Sequence, residues 1–284
     1  MSSTSDALPI PTPARRGWTG WGPALPALVL LGVFFLYPVL RMLSFSVEGG
    51  TTEWFAKALG EGLYIQVFWI TFQIALAVTL FCLLLGYPLG FLMATTTPGW
   101  AMLGFIFVLL PLWTSVLVRT YAWMVLLGRN GVFNRWLVGA GIVDDPLPLL
   151  HNMTGVLIGM VHVLLPYMVL PIYGAVKRLD PAIVAAAEGL GATPWRIFWR
   201  IYLPLTLNGI FAGSVLVFVL SLGFFITPAL LGGGRVIMIA ILIDQQVRQE
   251  LNWEFASALS AVLLVATLAV YGLAQRAMRP EEAK

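Results

Sequence analysis

The chain has 284 residues, of which 60% are hydrophobic and only 10% are charged, and its mean hydropathy is +0.90. About a quarter of the residues in an average soluble domain are charged, so this composition excludes a soluble globular protein and predicts an integral membrane protein. The formal net charge is a small +3, and the single cysteine, Cys82, excludes an internal disulfide and a cysteine-based metal site.

Runs without charged residues predict the membrane-spanning helices. A helix needs roughly 20 apolar residues to cross the hydrocarbon core, so four of the runs fit one helix each and the run 62–118 fits two, divided at the turn-forming segment 95–100. The apolar character is continuous rather than alternating, which favours helices over a barrel. The sequence therefore predicts an all-α membrane protein with six transmembrane helices, at about residues 24–44, 66–94, 101–127, 153–176, 204–229 and 255–276.

Around these spans we expect an N-terminal cytoplasmic tail (1–22), a transmembrane domain (23–278) and a C-terminal tail (279–284). A short helix near residues 133–138 is expected between spans three and four. If both termini lie on one side of the membrane, that side also holds the loop 177–203 and nine of the 16 Lys and Arg residues. This bias is weak, but it favours termini and loop in the cytoplasm.

The loop between spans four and five is expected to form two short helices around a glycine. Asp180-Pro181 is a typical helix start, with a capping side chain followed by a proline in the first turn. Gly191 can adopt the left-handed conformation that ends the first helix. Thr193-Pro194 then repeats the start signal for the second helix.

The second helix of this loop carries a bulky aromatic surface, made of Trp195, Phe198, Trp199 and Tyr202. Aromatic residues of this kind are enriched at protein interfaces. An amphipathic helix that lies under the lipid headgroups without any protein partner is the alternative interpretation of the same pattern.

The sequence of the loop also matches a known motif. Residues 185–191 read Ala-Ala-Ala-Glu-Gly-Leu-Gly, and residues 201–204 read Ile-Tyr-Leu-Pro. This resembles the coupling loop of bacterial ABC importer permeases, except that Ala185 stands where that family usually has Glu. The resemblance implies contact with an ATPase subunit through Ala186, Ala187, Glu188, Gly191, Trp195, Phe198, Ile201, Leu203 and Pro204.

Segments outside the loop extend the likeness over about residues 24–276. Residues 111–131, 226–233 and 252–256 are similar to spermidine/putrescine-type permeases, although permeases for iron, phosphonates, opines or amino-acid-like solutes share parts of them. The resemblance implies a type I ABC importer permease-like fold in the bacterial inner membrane, with a polyamine as solute.

The resemblance also implies the partners. They are two ABC ATPase subunits, a second permease chain that completes a heterodimer, a periplasmic solute-binding protein and membrane lipids, with no nucleic acid. ATP and Mg would be bound by the ATPase, because this chain has no Gly-x-x-x-x-Gly-Lys-Ser/Thr loop. We therefore expect no cofactor or metal on this chain and no enzymatic activity of its own.

Six residues are candidates for the solute path. Arg119 is ionisable within a span, although a structural or gating role is favoured because its charge would repel a polyamine. The aromatic candidates could contact ammonium groups, although aromatic anchors at the membrane surface are common, and the carboxylate could attract a cation. These five residues are Tyr121, Trp123, Phe224, Phe225 and Asp244.

Two other classes of protein remain as rivals. A secondary transporter would be expected to show paired broken helices, inverted repeats and carboxylates in the membrane, but the charge-free runs contain no Asp or Glu and no repeat is visible. A membrane-embedded enzyme would need a constellation of buried His, Asp or Ser side chains, and none is recognisable. Small residues in span five, such as Gly213 and Ser221, instead predict close helix packing.

Overall fold

Every regular element of residues 24–48 and 52–278, which this computed structural model describes, is helical. The predicted tails 1–22 and 279–284 lie outside the described residues. In chain order the helices are α1 (Leu25–Val47), α2 (Glu53–Gly60), α3 (Gly62–Thr95), α4 (Pro98–Trp113), α5 (Val116–Leu127), α6 (Val132–Gly139), α7 (Met153–Lys177), α8 (Pro181–Gly189), α9 (Pro194–Leu205), α10 (Leu207–Leu222), α11 (Ile226–Leu231), α12 (Ile239–Arg248) and α13 (Trp253–Met278).

The helices are long and apolar enough to give the six predicted spans. Four are single helices: α1, α3, α7 and α13. The other two spans are bent pairs, in which α4 meets the segment α5–α6 at 104° and α9 meets α10 at 59°. With each bent pair counted as one span, the number of spans equals the predicted six.

The centre of the molecule is formed by α3, α7 and α10, which share one large apolar cluster. Small residues let the backbones approach, as predicted for span five. At Gly213 an added Cβ would lie 2.9 Å from the Met168 Sδ atom and 3.2 Å from the Met168 carbonyl oxygen. In lipid, where helices gain little from the hydrophobic effect, such close packing holds spans together.

Span three is not the single helix that the sequence predicts over 101–127. Its chain breaks at Thr114 and Ser115, which have extended ψ angles. Thr114 closes the last turn of α4 by donating from its backbone N–H (3.3 Å) and from its Oγ1 (2.9 Å) to the Pro111 carbonyl. A threonine side chain that takes a helix carbonyl competes with continuation of the helix, and this marks the point of the break.

Span five also differs in its bounds from the predicted 204–229. The second helix of the loop between spans four and five runs on to Leu205, and after Thr206 the spanning helix α10 ends at Leu222. Pro228 lies in the separate short helix α11, where it is buried. The spanning helix therefore ends with Gly223 as its C-cap, five residues before Pro228.

The segment between spans three and four is held by Asn134 of α6, the short helix expected near residues 133–138. Its side-chain amide donates to the Gly128 and Leu147 carbonyls at 3.1 and 3.0 Å, and its Oδ1 accepts from the Leu147 N–H at 2.8 Å. These bonds satisfy backbone groups that would otherwise be unpaired in an irregular segment.

Candidate coupling surface and solute path

The first helix of the loop, α8, begins as its sequence predicts. Asp180 is the N-cap, and its carboxylate accepts a hydrogen bond from the Ala182 N–H at 2.9 Å while Pro181 occupies the first turn. A side chain that accepts from the first N–H groups satisfies donors that the helix itself leaves free. The start of the predicted helix is confirmed.

The end of α8 is closed by a Schellman motif around Gly191. The Gly191 N–H donates to the Glu188 carbonyl at 2.9 Å, and the Ala192 N–H donates to the Ala187 carbonyl at 3.0 Å. Gly191 itself has φ +77°, the left-handed conformation that the sequence predicts. An added Cβ there would meet no atom within 4 Å, so the requirement for glycine comes from the backbone angle alone.

The second helix, α9, starts at the second predicted cap. Thr193 Oγ1 accepts from the Arg196 N–H at 3.4 Å, a longer contact than that of Asp180. The helix passes through a π-helical turn at Phe198–Tyr202 and reaches Leu205. The loop is thus connected to α10 through one non-helical residue, Thr206.

The predicted aromatic surface is divided between two faces of α9. Trp195 and Trp199 are exposed, whereas Phe198 and Tyr202 are half-buried against α3. The Phe91 ring stands edge-on to both, with centroids 5.6 Å from Phe198 and 4.9 Å from Tyr202. Edge-to-face pairs at these distances are stabilising, so Phe91 braces the loop on the membrane domain.

Two hydrogen bonds join α3 to the two ends of the loop. Lys177 Nζ donates to the Ala94 carbonyl at 3.2 Å, and the Tyr87 hydroxyl lies 3.2 Å from Thr206 Oγ1. Sequence analysis missed Tyr87, Phe91 and Thr206. Tyr87 and Thr206 are 119 positions apart, and Phe91 is likewise far along the chain from Phe198 and Tyr202, so no local pattern indicates these contacts.

A groove of about 400 Å³ lies between α8 and α9, with Glu188, Trp195 and Phe198 among its lining residues. Of the other predicted coupling residues, Ala186 and Pro204 are exposed. Ala187, Ile201 and Leu203 are half-buried. The groove also contains Ile197, which is buried and which sequence analysis did not select. The arrangement offers an apolar cleft with one acidic side chain at its edge.

The candidate path residues do not form one cluster. Arg119 and Trp123 share the buried face of α5, but Tyr121 is 55% exposed on the opposite face. Phe224 and Phe225 are half-buried in the link between α10 and α11. Asp244 is on α12, where its carboxylate pairs with Arg248 Nε at 2.6 Å.

Trp123 has a partner that the sequence did not indicate. Its Nε1–H donates to His162 Nδ1 at 3.1 Å, and the two rings are edge-on with centroids 5.5 Å apart. Both residues line an apolar groove of about 580 Å³ between α3, α5 and α7. The His162 side chain is thereby fixed in place as a hydrogen-bond acceptor at Nδ1.

Comparisons with known proteins agree with this architecture. A family model described as "Binding-protein-dependent transport system inner membrane component" matches residues 24–281. The Spermidine/putrescine transport system permease protein PotB of Haemophilus influenzae is 40% identical over 203 residues, 72% of this chain and 71% of that protein. Its Escherichia coli K12 counterpart is 34% identical over 263 residues, 92% of this chain and 94% of that protein.

Among solved structures, the chain is similar to a bacterial alginate ABC transporter in complex with alginate pentasaccharide-bound periplasmic protein. The TM-score is 0.77 and the sequence identity 19%, and the match covers 92% of this chain and 94% of that chain. At this identity the likeness shows a shared fold.

Proposed function

This chain belongs to the family of binding-protein-dependent transport system inner membrane components, and from that premise we propose that its solute is a polyamine of the spermidine and putrescine class. It is a multi-pass permease subunit of an ABC importer, a transport protein rather than an enzyme. The observation that carries the proposed solute is the likeness to the two spermidine/putrescine permeases, which covers more than two thirds of the chain.

The proposed partners include two ATPase subunits, one of which docks in the groove between α8 and α9. This assignment is supported by the exposed Trp195 and Trp199 beside the groove and by the acidic Glu188 at its edge. Aromatic anchors around a cleft are typical of protein interfaces. The interfacial helix without a partner is less favoured, because Phe198 and Tyr202 of α9 pack on α3 instead of facing lipid and α8 presents mainly small side chains.

The loop is built to pass movement to the membrane domain. Its helix α9 is followed after one residue by α10, and its aromatic side chains rest on Phe91 of α3. Both α3 and α10 belong to the central cluster. Closure of the ATPase dimer on ATP would therefore displace two spans together, which is the movement required to change the access of the solute path from one side to the other.

A second permease chain and a periplasmic binding protein complete the proposed importer. With the loop 177–203 and both termini in the cytoplasm, the segment from α11 to the first turn of α13 faces the periplasm and the binding protein. The carboxylates Asp244 and Glu254, half-buried in that segment, are suited to a cationic solute or to a basic surface of the binding protein.

Transport by the complete importer tests the solute. The tagged chain is purified with its partners, reconstituted in liposomes and supplied with the cognate binding protein, ATP and radiolabelled spermidine. We expect ATP-dependent accumulation that unlabelled putrescine or spermidine reduces. Accumulation of an anionic or metal solute that polyamines do not reduce would refute the polyamine assignment while keeping the permease function.

A further inference from the structure

Arg119 is a buried cation without a partner in the described part of the chain. Its side chain is 9% exposed, and its Nε and Nη1 atoms are inaccessible to solvent and make no hydrogen bond. The ion pair Asp244–Arg248 is the only one among residues 24–48 and 52–278, so no described carboxylate lies within 4 Å of the guanidinium. Burying a charge without a partner is strongly unfavourable.

The side chain of Arg119 points into the protein rather than toward lipid headgroups. Helix α5 has an exposed apolar face with Leu117, Val118, Tyr121 and Val125. Arg119 lies on the opposite face, together with Thr120, Trp123 and Leu127. An arginine that reached the membrane surface would leave from the exposed face, so lipid phosphates do not account for its charge.

Two of the polar side chains around Arg119, those of Thr120 and His162, are already engaged. Thr120 Oγ1 bonds to the Val116 carbonyl and to Thr227 Oγ1 at 3.1 Å. His162 Nδ1 accepts from Trp123, so a neutral His162 carries its proton on Nε2 and presents only a donor there. A guanidinium also has only donors, so His162 cannot satisfy it.

An apolar groove lies one helical turn from Arg119, along the same face of α5. Trp123, one helical turn after Arg119 on the same face, lines the groove of about 580 Å³ together with Leu85, Leu157 and Ile158. The groove is wide enough for side chains of another spanning helix. A helix that fills it and carries one acidic residue would supply both the apolar surface and the missing negative charge.

We propose that Arg119 forms an ion pair within the membrane with an Asp or Glu of a second permease chain whose spanning helix packs into this groove. The inference rests on the two-permease pore of the proposed function. The described spans of this chain hold one acidic residue, Glu254 in the first turn of α13, so a second copy would offer a carboxylate only at that end. The second chain proposed here is a permease of different sequence, whose carboxylate would also neutralise a positive charge that repels a polyamine.

The test uses the complete importer expressed with all its subunits and a tag on this chain. Quantitative mass spectrometry gives the ratio of second permease to tagged chain after detergent extraction. Because Arg119→Gln leaves the partner carboxylate buried and unpaired, we expect the ratio to fall at least about tenfold. The control Arg129→Gln changes an exposed arginine two residues beyond α5 and should leave the ratio unchanged.

A charge exchange identifies the partner residue. In the background of Arg119→Glu, each intramembrane Asp or Glu of the second permease is replaced in turn by Arg, and one exchange should restore the ratio. No restoration by any exchange would overturn the ion pair. So would an Arg119→Gln chain that is lost from the membrane even when expressed alone, since the arginine would then stabilise its own chain.

Two further results separate this proposal from its rivals. An unchanged subunit ratio with a raised KM for uptake would assign Arg119 to the solute, and an unchanged ratio with unchanged uptake would leave it without either role. Both overturn the ion pair. A wild-type chain that purifies with its ATPase but without any second permease of different sequence would instead refute the two-permease pore of the proposed function.

Discussion

The coupling loop and the α5 region differ in whether this chain provides hydrogen-bond partners for their polar groups. In the loop, Asp180 and the Gly191 turn cap the start and end of α8, and Thr193 caps the start of α9. In α5, the Arg119 guanidinium is buried with two nitrogen atoms unsatisfied. The loop is therefore a finished element that can transmit force as a unit, whereas the α5 region has the character of an interface that another chain completes.

The largest expected effect comes from removing the aromatic brace of the loop. Phe91→Ala removes the ring that Phe198 and Tyr202 contact. We expect the free energy of unfolding to fall by about 2 kcal/mol, less than for a fully buried phenylalanine, because Phe91 is half-buried. ATP-driven uptake by the reconstituted importer should fall further than ATPase activity. The matched control is Phe107→Ala, which truncates a ring that is 73% exposed. An equal loss of uptake in both variants would show that the loop does not depend on its contact with Phe91.

A pair of glycine substitutions tests the turn that ends α8. Neither Gly189 nor Gly191 has an atom within 4 Å of an added Cβ, but only Gly191 has a positive φ. Gly191→Ala should destabilise the turn by about 1–2 kcal/mol, whereas Gly189→Ala should be neutral or slightly stabilising, because alanine favours the helix. Stimulation of ATPase activity by the solute-loaded binding protein is the measurement. Identical stimulation in the two variants would contradict a role for the turn in coupling.

A smaller effect is expected for the hydrogen bond in the α5 region. Trp123→Phe keeps a ring near Phe133 but removes the hydrogen-bond donor to His162 Nδ1. We therefore expect the free energy of unfolding to fall by about 0.5–1 kcal/mol. The thermal unfolding midpoint of the purified complex reports this change. The same substitution at the exposed Trp136, which has no hydrogen bond to lose in the described part of the chain, is the control. A midpoint lowered equally by both variants would show that the loss is not due to the hydrogen bond.

The smallest effect is expected at the exposed ion pair of α12. Asp244→Asn removes a charge paired with Arg248, whose side chain is 76% exposed, and such surface pairs contribute about 0–1 kcal/mol. Stability should change little. If Asp244 attracts the cationic solute or the binding protein, the apparent KM for uptake should rise, and the rise should shrink at high ionic strength. An unchanged KM would remove Asp244 from the candidate path.

The sequence alone determined the features that depend on neighbouring residues. Continuous apolar runs gave six spans, because the length needed to cross a membrane is fixed by its thickness. The caps at Asp180 and Thr193 and the turn at Gly191 were predictable because their side chains and backbone groups bond within five residues. The assignment of Ala187, Ile201 and Leu203 to coupling came from the resemblance of the loop to a family motif and stays a prediction.

The tertiary structure decided which faces of these helices are buried. Phe198 and Tyr202 pack on α3 while Trp195 and Trp199 remain exposed, and nothing in their spacing distinguishes the two pairs. The partnership of Trp123 with His162 joins residues 39 positions apart, and that of Tyr87 with Thr206 joins residues 119 positions apart. Hydropathy treats an apolar helix as uniform, so it cannot show where span three bends or that Arg119 faces inward. Those outcomes depend on which helices pack together, because only packing decides which polar groups lose contact with water.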